Sequence, residues 1–445
     1  MKKKLYFMMA VISIMLSCSS NDVEDLGDAK QVVSMLSEAK PIELTEVQRV
    51  FVNDNNQFTL NFLKTVNETD RSGKGFIYSP LSITYVLGMV NDAATGKTEE
   101  ELEQTLGFHQ GGILAVNDYC KNLIDNLPKV DEKVTLNIAN AIFLNKGYTL
   151  KPKFEEDMKT YYDARAEVLD FSAKKESAAI INNWCKEKTN EMIPSIIDET
   201  DPAMVSYLLN AIYFKADWAS KFDQKNTKEE TFTTENGSTT LPLMHQNVLI
   251  KYLKNDTYSA IEMPYGNGKW SMNVILPEEG KTVDDVISHL AMCGLFPIPF
   301  GNDIVYPDGH TDNIDYSTWT FRAYEVDLKL PRYETESDTD KAGGLIELLQ
   351  KMGIHLAFTD DAQIPNMADR PVKIDMMRQK AKIKVNEEGS EAAAVTIAGA
   401  NYLSSASPKP IEYPKAAFHA NRPFVYVIRE ASSGVILFVG KFTGA

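Results

Sequence analysis

Apolar and polar positions along the chain follow two rhythms, and the places where one gives way to the other mark its elements. Val50, Phe51, Phe58, Phe62, Leu63 and Val66 recur at helical spacing and predict an amphipathic first helix. Phe76-Ile-Tyr-Ser-Pro-Leu-Ser-Ile83 opens a second helix, with Ser79 at its N-cap, Pro80 in its first turn, and Ile83, Leu87 and Val90 as its buried stripe. Gly96-Lys-Thr98 matches part of a phosphate loop, but Asn91 stands where the first glycine is needed; Thr98 with Glu101 reads instead as a capping box that starts a third helix. Ile180, Ile181, Trp184, Thr189, Met192 and Ile193 give another helix. Strand patterns cover Thr135 to Leu144, Tyr207 to Phe214, Ala260 to Tyr265 and Trp270 to Pro277. Near the C-terminus, Ala381, Ile383 and Val385 alternate with Lys382 and Lys384, the period-two signature of a half-buried strand. Phe424 to Ile428 and Val435 to Val439 are continuous apolar runs that read as buried strands.

Between these C-terminal strands lies a stretch that fits neither loop nor core. From Ser390 to Ala400 there is no proline, only Glu391 is charged, and no side chain exceeds isoleucine in size. An exposed loop of that length should carry Gly, Pro, Asn and Asp punctuation. Sorted by parity, Ser390, Ala392, Ala394, Thr396, Ala398 and Ala400 form one uniformly small face; Glu391, Ala393, Val395, Ile397 and Gly399 form the other. A strand with such a face slides between existing strands without a clash beneath the sheet, and Gly389 just before it offers a hinge able to take positive φ. The segment reads as a strand kept in reserve. Helix formers from Glu387 to Ala394 leave a turn or two of resting helix as the competing expectation, although Val395, Thr396 and Ile397 favour strand.

Composition narrows the function. The 445 residues are 44% hydrophobic, enough for one large packed domain, and carry a net charge of −16, which argues against nucleic acid as a partner. Lys2, Lys3 and Lys4 precede an apolar run from Leu5 to Leu16, too short to span a bilayer comfortably, and then Ser17-Cys18; the front reads as an export signal. Met15-Leu-Ser-Cys18 resembles a bacterial lipobox, in which Cys18 is lipidated, with Met15 as a departure from the usual residue; an ordinary secretory signal cut near Ser19 or Ser20 is the alternative. Residues 19–28 then form a short acidic tether. Cys120, Cys185 and Cys293 fit neither a disulfide framework nor a zinc pattern and read as core residues. None of the six histidines lies in a His-Glu-x-x-His pair and there is no Gly-x-Ser-x-Gly elbow, so an enzyme has no positive support and neither metal nor cofactor is expected. Residues 296–322 read as a long surface excursion rich in Pro, Gly, Asp and aromatics.

Asn386-Glu-Glu-Gly-Ser-Glu-Ala-Ala-Ala394 resembles the reactive-loop hinge of the serpins, the serine protease inhibitor family. Six further stretches appear in that family's order: Ser79-Pro-Leu-Ser-Ile83, Leu136-Asn-Ile-Ala-Asn-Ala-Ile-Phe143, Leu209-Asn-Ala-Ile-Tyr-Phe-Lys215 with Trp218, Ile261-Glu-Met-Pro-Tyr265, Leu328-Lys-Leu-Pro-Arg332 and Met352-Gly-Ile-His-Leu-Ala-Phe358. The tail Phe418-His-Ala-Asn-Arg-Pro-Phe-Val425 resembles its closing strands. The resemblance implies an α+β fold of three β-sheets with about eight or nine helices and an exposed reactive-centre loop. It divides the chain into a signal peptide at 1–17, a lipidated cysteine with tether and lead-in at 18–45, and one domain at 46–445.

It also implies a function. A target endopeptidase attacks the loop, an acyl-enzyme forms, and the freed strand inserts into the main sheet and traps the protease. By family position Glu387 pairs with Arg332 at the loop base, Trp218 lies nearby, and Ala392, Ala393 and Ala394 complete the hinge with Gly389 and Ser390. Ser79, Ser82 and Asn210 lie where the sheet opens, and Gln379 replaces a histidine common there, which puts the family's usual hydrogen-bond network in question. Family spacing puts the scissile bond at Leu403-Ser404, with cleavage after Tyr402, Ser404, Ser405 or Lys409 as alternatives; Tyr402 and Leu403 suit elastase-, chymotrypsin- or papain-like proteases. The expected protein is a monomer, exported and anchored as an outer-membrane or cell-surface lipoprotein, otherwise periplasmic or extracellular. A non-inhibitory serpin and a surface-anchored adhesin or glycan binder are the alternatives.

Overall fold

The computed structural model describes residues 41–444 except 71, 296–303, 306–310, 313–320, 340–343 and 391–412. The chain divides into two units, Met1–Leu36 and Ser37–Ala445; the first lies outside the described residues, and the second is described here. Its helices begin where the sequence supplies caps or prolines. α1 (Glu46–Thr69) starts on a full capping box, in which Thr45 Oγ1 accepts from the Gln48 amide at 3.2 Å and Gln48 Oε1 accepts from the Thr45 amide at 3.1 Å. β1 (Phe76–Tyr78) leads into α2 (Pro80–Ala93), where proline at the first position needs no amide partner. α2 differs from its expected single stripe: it is buried nearly all round, Ser82 and Thr84 included, as befits a helix surrounded by core.

Two caps expected from the sequence are not formed. Ser79 occupies the N-cap position without a side-chain cap, because its Oγ donates to the Leu437 carbonyl instead. α3 (Gly96–Leu106) begins two residues before Thr98, whose Oγ1 accepts from the Gln363 amide, while Glu101 accepts from the amides of His355 and Leu356. Tertiary partners claimed both ends of the would-be capping box. α4 (Gly112–Asn126), α5 (Pro152–Tyr162), α6 (Lys174–Lys188), α7 (Val283–Cys293) and α8 (Leu345–Lys351) complete eight helices among the described residues. Ile180 on α6 is exposed, and Met192 and Ile193 fall beyond the end of the helix. Cys120 and Cys185 are buried, whereas Cys293 is only half-buried.

The strands build two large sheets. The first is nine-stranded: it joins β1, β17 (Ile436–Phe442), β16 (Phe424–Glu430), β8 (Trp270–Pro277), β7 (Tyr258–Tyr265), β6 (Gly237–Lys254), β11 (Arg322–Pro331) and β15 (Lys415–His419), with β5 (Lys228–Thr234) also on β6. β17 is buried along its whole length and β16 apart from Arg429, in keeping with their continuous apolar runs; β8 is buried throughout although Ser271 and Asn273 interrupt its apolar residues. The second, six-stranded, runs β12 (Tyr333–Asp338), β13 (Met376–Val385), β14 (Gly389–Ser390), β4 (Ser206–Asp217), β2 (Val134–Asn145), β3 (Arg165–Leu169). β9 (Ile304–Val305) and β10 (Thr311–Asp312) make a small separate ladder within the 296–322 excursion.

The six-stranded sheet carries a core on both faces. One face, with Ile142, Leu208, Ile212 and Phe214, joins the main core beneath α2; the other, with Ala139, Ala141, Phe143, Leu209 and Ala211, packs under Ile181 and Trp184 of α6. β13 alternates as its sequence predicts, with Met377, Gln379, Ala381, Ile383 and Val385 buried between partly exposed Arg378, Lys380 and Lys382 and exposed Lys384.

Candidate functional site

The seam between β4 and β13 changes character along its length. At one end the two strands pair directly and in parallel, from Met376↔Tyr207 to Gln379↔Asn210. Beyond Gln379, β13 stays paired on its outer side with β12 as far as Val385, and β4 stays paired with β2 as far as Ala216. No further bridge between β4 and β13 forms among the described residues. At the far end the two-residue β14 sits between them: Ser390 pairs antiparallel with both Val385 and Ala216, and Gly389 pairs with Asp217. Residues 380–384 and 211–215 therefore face each other across an unbridged stretch with a strand begun at its mouth.

The turn that carries β14 is locally determined. The Asn386 side-chain carbonyl accepts from the amides of Glu388 (2.9 Å) and Gly389 (3.2 Å), an Asx turn, while the Asn386 amide donates to the Gly389 carbonyl at 3.0 Å. The helical alternative for residues 387–390 is thereby excluded. Gly389 is required here: its φ is 154°, and a Cβ would lie 2.2 Å from the Ala216 carbonyl oxygen and 2.5 Å from Asp217 Cα. Trp218 stacks on Tyr265 at 4.3 Å, its Nε1 donates to the Asn386 carbonyl at 2.9 Å, and the Tyr265 hydroxyl is 2.7 Å from Ser390 Oγ. The hinge backbone is fixed as well, since the amides of Trp218 and Phe222 donate to the carbonyls of Glu388 and Glu387 at 2.8 and 3.0 Å.

Two ion pairs flank the turn. The Glu387 carboxylate is buried and accepts from the Arg332 guanidinium on both oxygens, and from Thr227 Oγ1 at 2.6 Å. Burial pushes its acidity toward the neutral form, but Arg332 and Thr227 outweigh that and hold the carboxyl below its ordinary value. On the other side Lys221 Nζ lies 2.7 Å from Glu388 Oε2 and 2.8 Å from Asp217 Oδ2. Sequence reasoning named Arg332 and Glu387 but missed Lys221 and Thr227, since nothing in their neighbourhoods marks them.

At the directly paired end the network around Gln379 is neutral, with the bidentate Arg378–Asp338 ion pair beside it. Gln379 uses its whole amide on one residue: Oε1 accepts from the Ser79 amide at 2.9 Å and Nε2 donates to the Ser79 carbonyl at 2.8 Å. Ser82 Oγ donates to Ser79 Oγ at 3.1 Å, and the Gln379 backbone N–H donates to Thr339 Oγ1 at 3.1 Å. Asn210 is not part of that cluster. Its Nδ2 donates to Asn140 Oδ1 at 2.8 Å, Asn140 in turn donates to the Tyr162 carbonyl, and Asn210 Oδ1 is buried without a partner. Thr339 and Asn140 are further partners the sequence did not reveal. Ala392, Ala393, Ala394, Tyr402, Leu403, Ser404, Ser405, Lys409 and Cys18 lie outside the described residues. Among the described residues no cluster of His, Cys, Asp or Glu is disposed to hold a metal ion.

The profile of the family described as Serpin (serine protease inhibitor) matches residues 53–444. A serpin-like protein of Thermococcus kodakarensis is 30% identical over 397 residues, 88% of this chain and 85% of that protein. The leukocyte elastase inhibitor of Sus scrofa is 30% identical over 400 residues, 87% of this chain and 98% of its own. Among solved structures, human thyroxine-binding globulin in complex with thyroxine superposes with a TM-score of 0.74 at 25% identity, covering 89% of this chain and 98% of that one. The thermophilic serpin tengpin in its native state superposes with the same TM-score at 24% identity, covering 92% and 96%. With a sheet seam that holds the first residues of its own loop and a family profile matching nearly all of the described chain, the protein belongs to the serpin family.

Proposed function

We propose that this serpin is a suicide-substrate inhibitor of a serine-type endopeptidase. One observation carries the reading: Gly389 and Ser390 occupy the mouth of the β4–β13 seam as strand β14, and the sequence that follows them, 391–400, has the uniformly small face that insertion into the unbridged stretch would need. Cleavage between Leu403 and Ser404 frees that segment to extend the strand, with the protease acyl-linked at its end. Roughly a dozen inserted residues, at about 0.5 to 1.5 kcal/mol net per hydrogen bond, gain on the order of 10 kcal/mol, which rivals the ~5 to 15 kcal/mol stability of an ordinary domain. The uncut form is then metastable, held by a kinetic barrier. Glu387, Arg332 and Trp218 anchor the loop base, and Ser79, Ser82, Gln379 and Asn210 govern how the seam parts. The N-terminal lysines, apolar run and Cys18 support export and lipid anchoring at the cell surface or outer membrane.

Thyroxine-binding globulin, solved with thyroxine, favours a second reading, a non-inhibitory carrier; papain-like targets are a variant of the first. The test is incubation of the mature protein with elastase-, chymotrypsin-, trypsin- and papain-like proteases, followed by denaturing gel and intact mass. A denaturant-resistant complex and a C-terminal fragment beginning at Ser404 are expected. Clean cleavage without complex across the panel would leave the carrier reading standing.

A further inference from the structure

The hinge turn carries two adjacent carboxylates, and they are tied to opposite banks of the seam. Glu387 reaches Arg332, which leads directly into β12 and so belongs to the bank of β13. Glu388 reaches Lys221, in the loop that leaves β4, and Lys221 simultaneously holds Asp217, the last residue of β4 and the pairing partner of Gly389. A lysine four residues after an aspartate would make that local pair anyway. The contact with Glu388 is different, because it spans 167 positions of sequence and joins the hinge to the strand it lies against. The three side chains are 25 to 31% exposed, so their attraction is only partly screened. Burial works against the ammonium charge, but the two carboxylates outweigh it and the Lys221 amine is raised above its ordinary value.

We infer that Lys221 is a positioning residue for loop insertion: it holds Glu388 against the end of β4 and so keeps Gly389 and Ser390 paired in the sheet before any protease acts. This rests on the inhibitory reading. Trapping is a race between insertion and hydrolysis of the acyl-enzyme. A hairpin whose turn is already closed adds pairs without first meeting the closure entropy of the turn. With Lys221 removed, Glu388 loses its tie, the hinge spends more time out of the sheet, insertion starts later, and more acyl-enzymes are hydrolysed.

The experiment has two arms on the full mature chain, with Lys221→Met, Lys221→Arg and the charge-reversed Lys221→Glu/Glu388→Lys pair. Without protease, hydrogen exchange of the peptide covering 386–390 should run about two- to tenfold faster in Lys221→Met, the range for a partly exposed charge-assisted pair, and return toward wild type in Lys221→Arg and in the reversed pair. With a protease that the wild type traps, the moles of inhibitor consumed per mole of protease trapped should rise in Lys221→Met and recover in the same two variants. Unchanged exchange in Lys221→Met, with fold confirmed by far-ultraviolet circular dichroism, overturns the inference whatever the protease result. Faster exchange with an unchanged consumption ratio also overturns it, by showing that the hinge position does not set the race. A wild type that traps no protease sinks the inhibitory reading instead, and that outcome is visible separately.

Discussion

The two ends of the β4–β13 seam solve the same problem, keeping two strands in place, with opposite chemistry. At the end near Gln379 the strands pair directly, and the network around Gln379 is neutral, a glutamine side chain bound to Ser79, two serine hydroxyls and a threonine, although the Arg378–Asp338 ion pair lies beside it. At the end near Val385 the support is ionic, with Arg332–Glu387 on one bank and Lys221–Glu388–Asp217 on the other. What differs is solvent access to the cations. Ser79, Ser82 and Thr339 are wholly buried and Gln379 nearly so; Glu387 is as buried as they are, but its partner Arg332, and Lys221 on the other bank, keep contact with solvent, which lowers the desolvation cost of several kcal/mol that a fully buried ion would suffer. A buried amide network also lets go without stranding a charge, which would suit the opening that the proposed insertion requires. In that proposal the ionic end stays fixed, since its turn would serve the resting hairpin and an extended one alike.

That contrast predicts a steep order of effects. The largest belongs to the inserting face itself. Ala392→Arg or Ala394→Arg would bury an unpaired guanidinium if the strand extended, at a cost of several kcal/mol; insertion should stop, and the variant should be cleaved like a substrate without forming a denaturant-resistant complex. Full trapping by either variant would sink the insertion mechanism. Next comes Gly389→Val. Its Cβ would meet the Ala216 carbonyl at 2.2 Å, and overpacking of this kind costs roughly 1 to 3 kcal/mol; β14 should leave the sheet, with a rise in hydrogen exchange at 386–390 and little change in the rest of the molecule.

Gln379→Ala addresses the opposite end. It leaves the buried Ser79 amide without its partner, while the Ser79 carbonyl keeps the amides of Ser82 and Ile83; the cost is about 1 to 3 kcal/mol by the usual penalty for an unsatisfied buried group. The thermal midpoint should fall by several degrees in a domain of this size, and the seam should open more readily, seen as faster spontaneous conversion to a form that no longer traps protease. A variant as stable and as slow to convert as the wild type would mean that Gln379 fills space without holding the seam.

How much of this was legible in the sequence depends on how local the cause is. Alternation along β13, the apolar runs of β16 and β17, and the proline at the start of α2 act within a few residues, and the structure follows them. The Ser79 and Thr98 caps failed because Leu437 and Gln363, hundreds of positions away, offered those hydroxyls other partners. Lys221, Thr227 and Thr339 carry no mark in sequence for the same reason, and Asn140, though inside the 136–143 stretch, shows no role there: each matters through contacts set by the fold. Gln379 lies between these cases. The departure from histidine was visible, but the way its amide satisfies Ser79 at both atoms appears only once α2 and β13 are brought together.

The effect most confined in its conditions isolates the ionic end by pH. The Glu387 carboxyl is held below its ordinary value because Arg332 and Thr227 outweigh burial, so its folded form binds protons less readily than its unfolded form. Such a group adds stability that is fully present above the unfolded pKa, about 4.5 for a glutamate, and is lost as pH falls through the lower folded value. Arg332 stays charged throughout, so the loss follows the carboxylate alone. Glu387→Gln removes that titration. The stability gap between wild type and Glu387→Gln, on the order of 1.5 to 3 kcal/mol for a hydrogen bond to a charged group, should be constant from pH 7 to about pH 5 and close as the pH is taken below 4.5. Thermal unfolding of both proteins across that range measures it. A gap that stayed open at pH 3 would mean that Glu387 acts through shape and neutral hydrogen bonds, and the two ends of the seam would then differ in solvent access but not in kind.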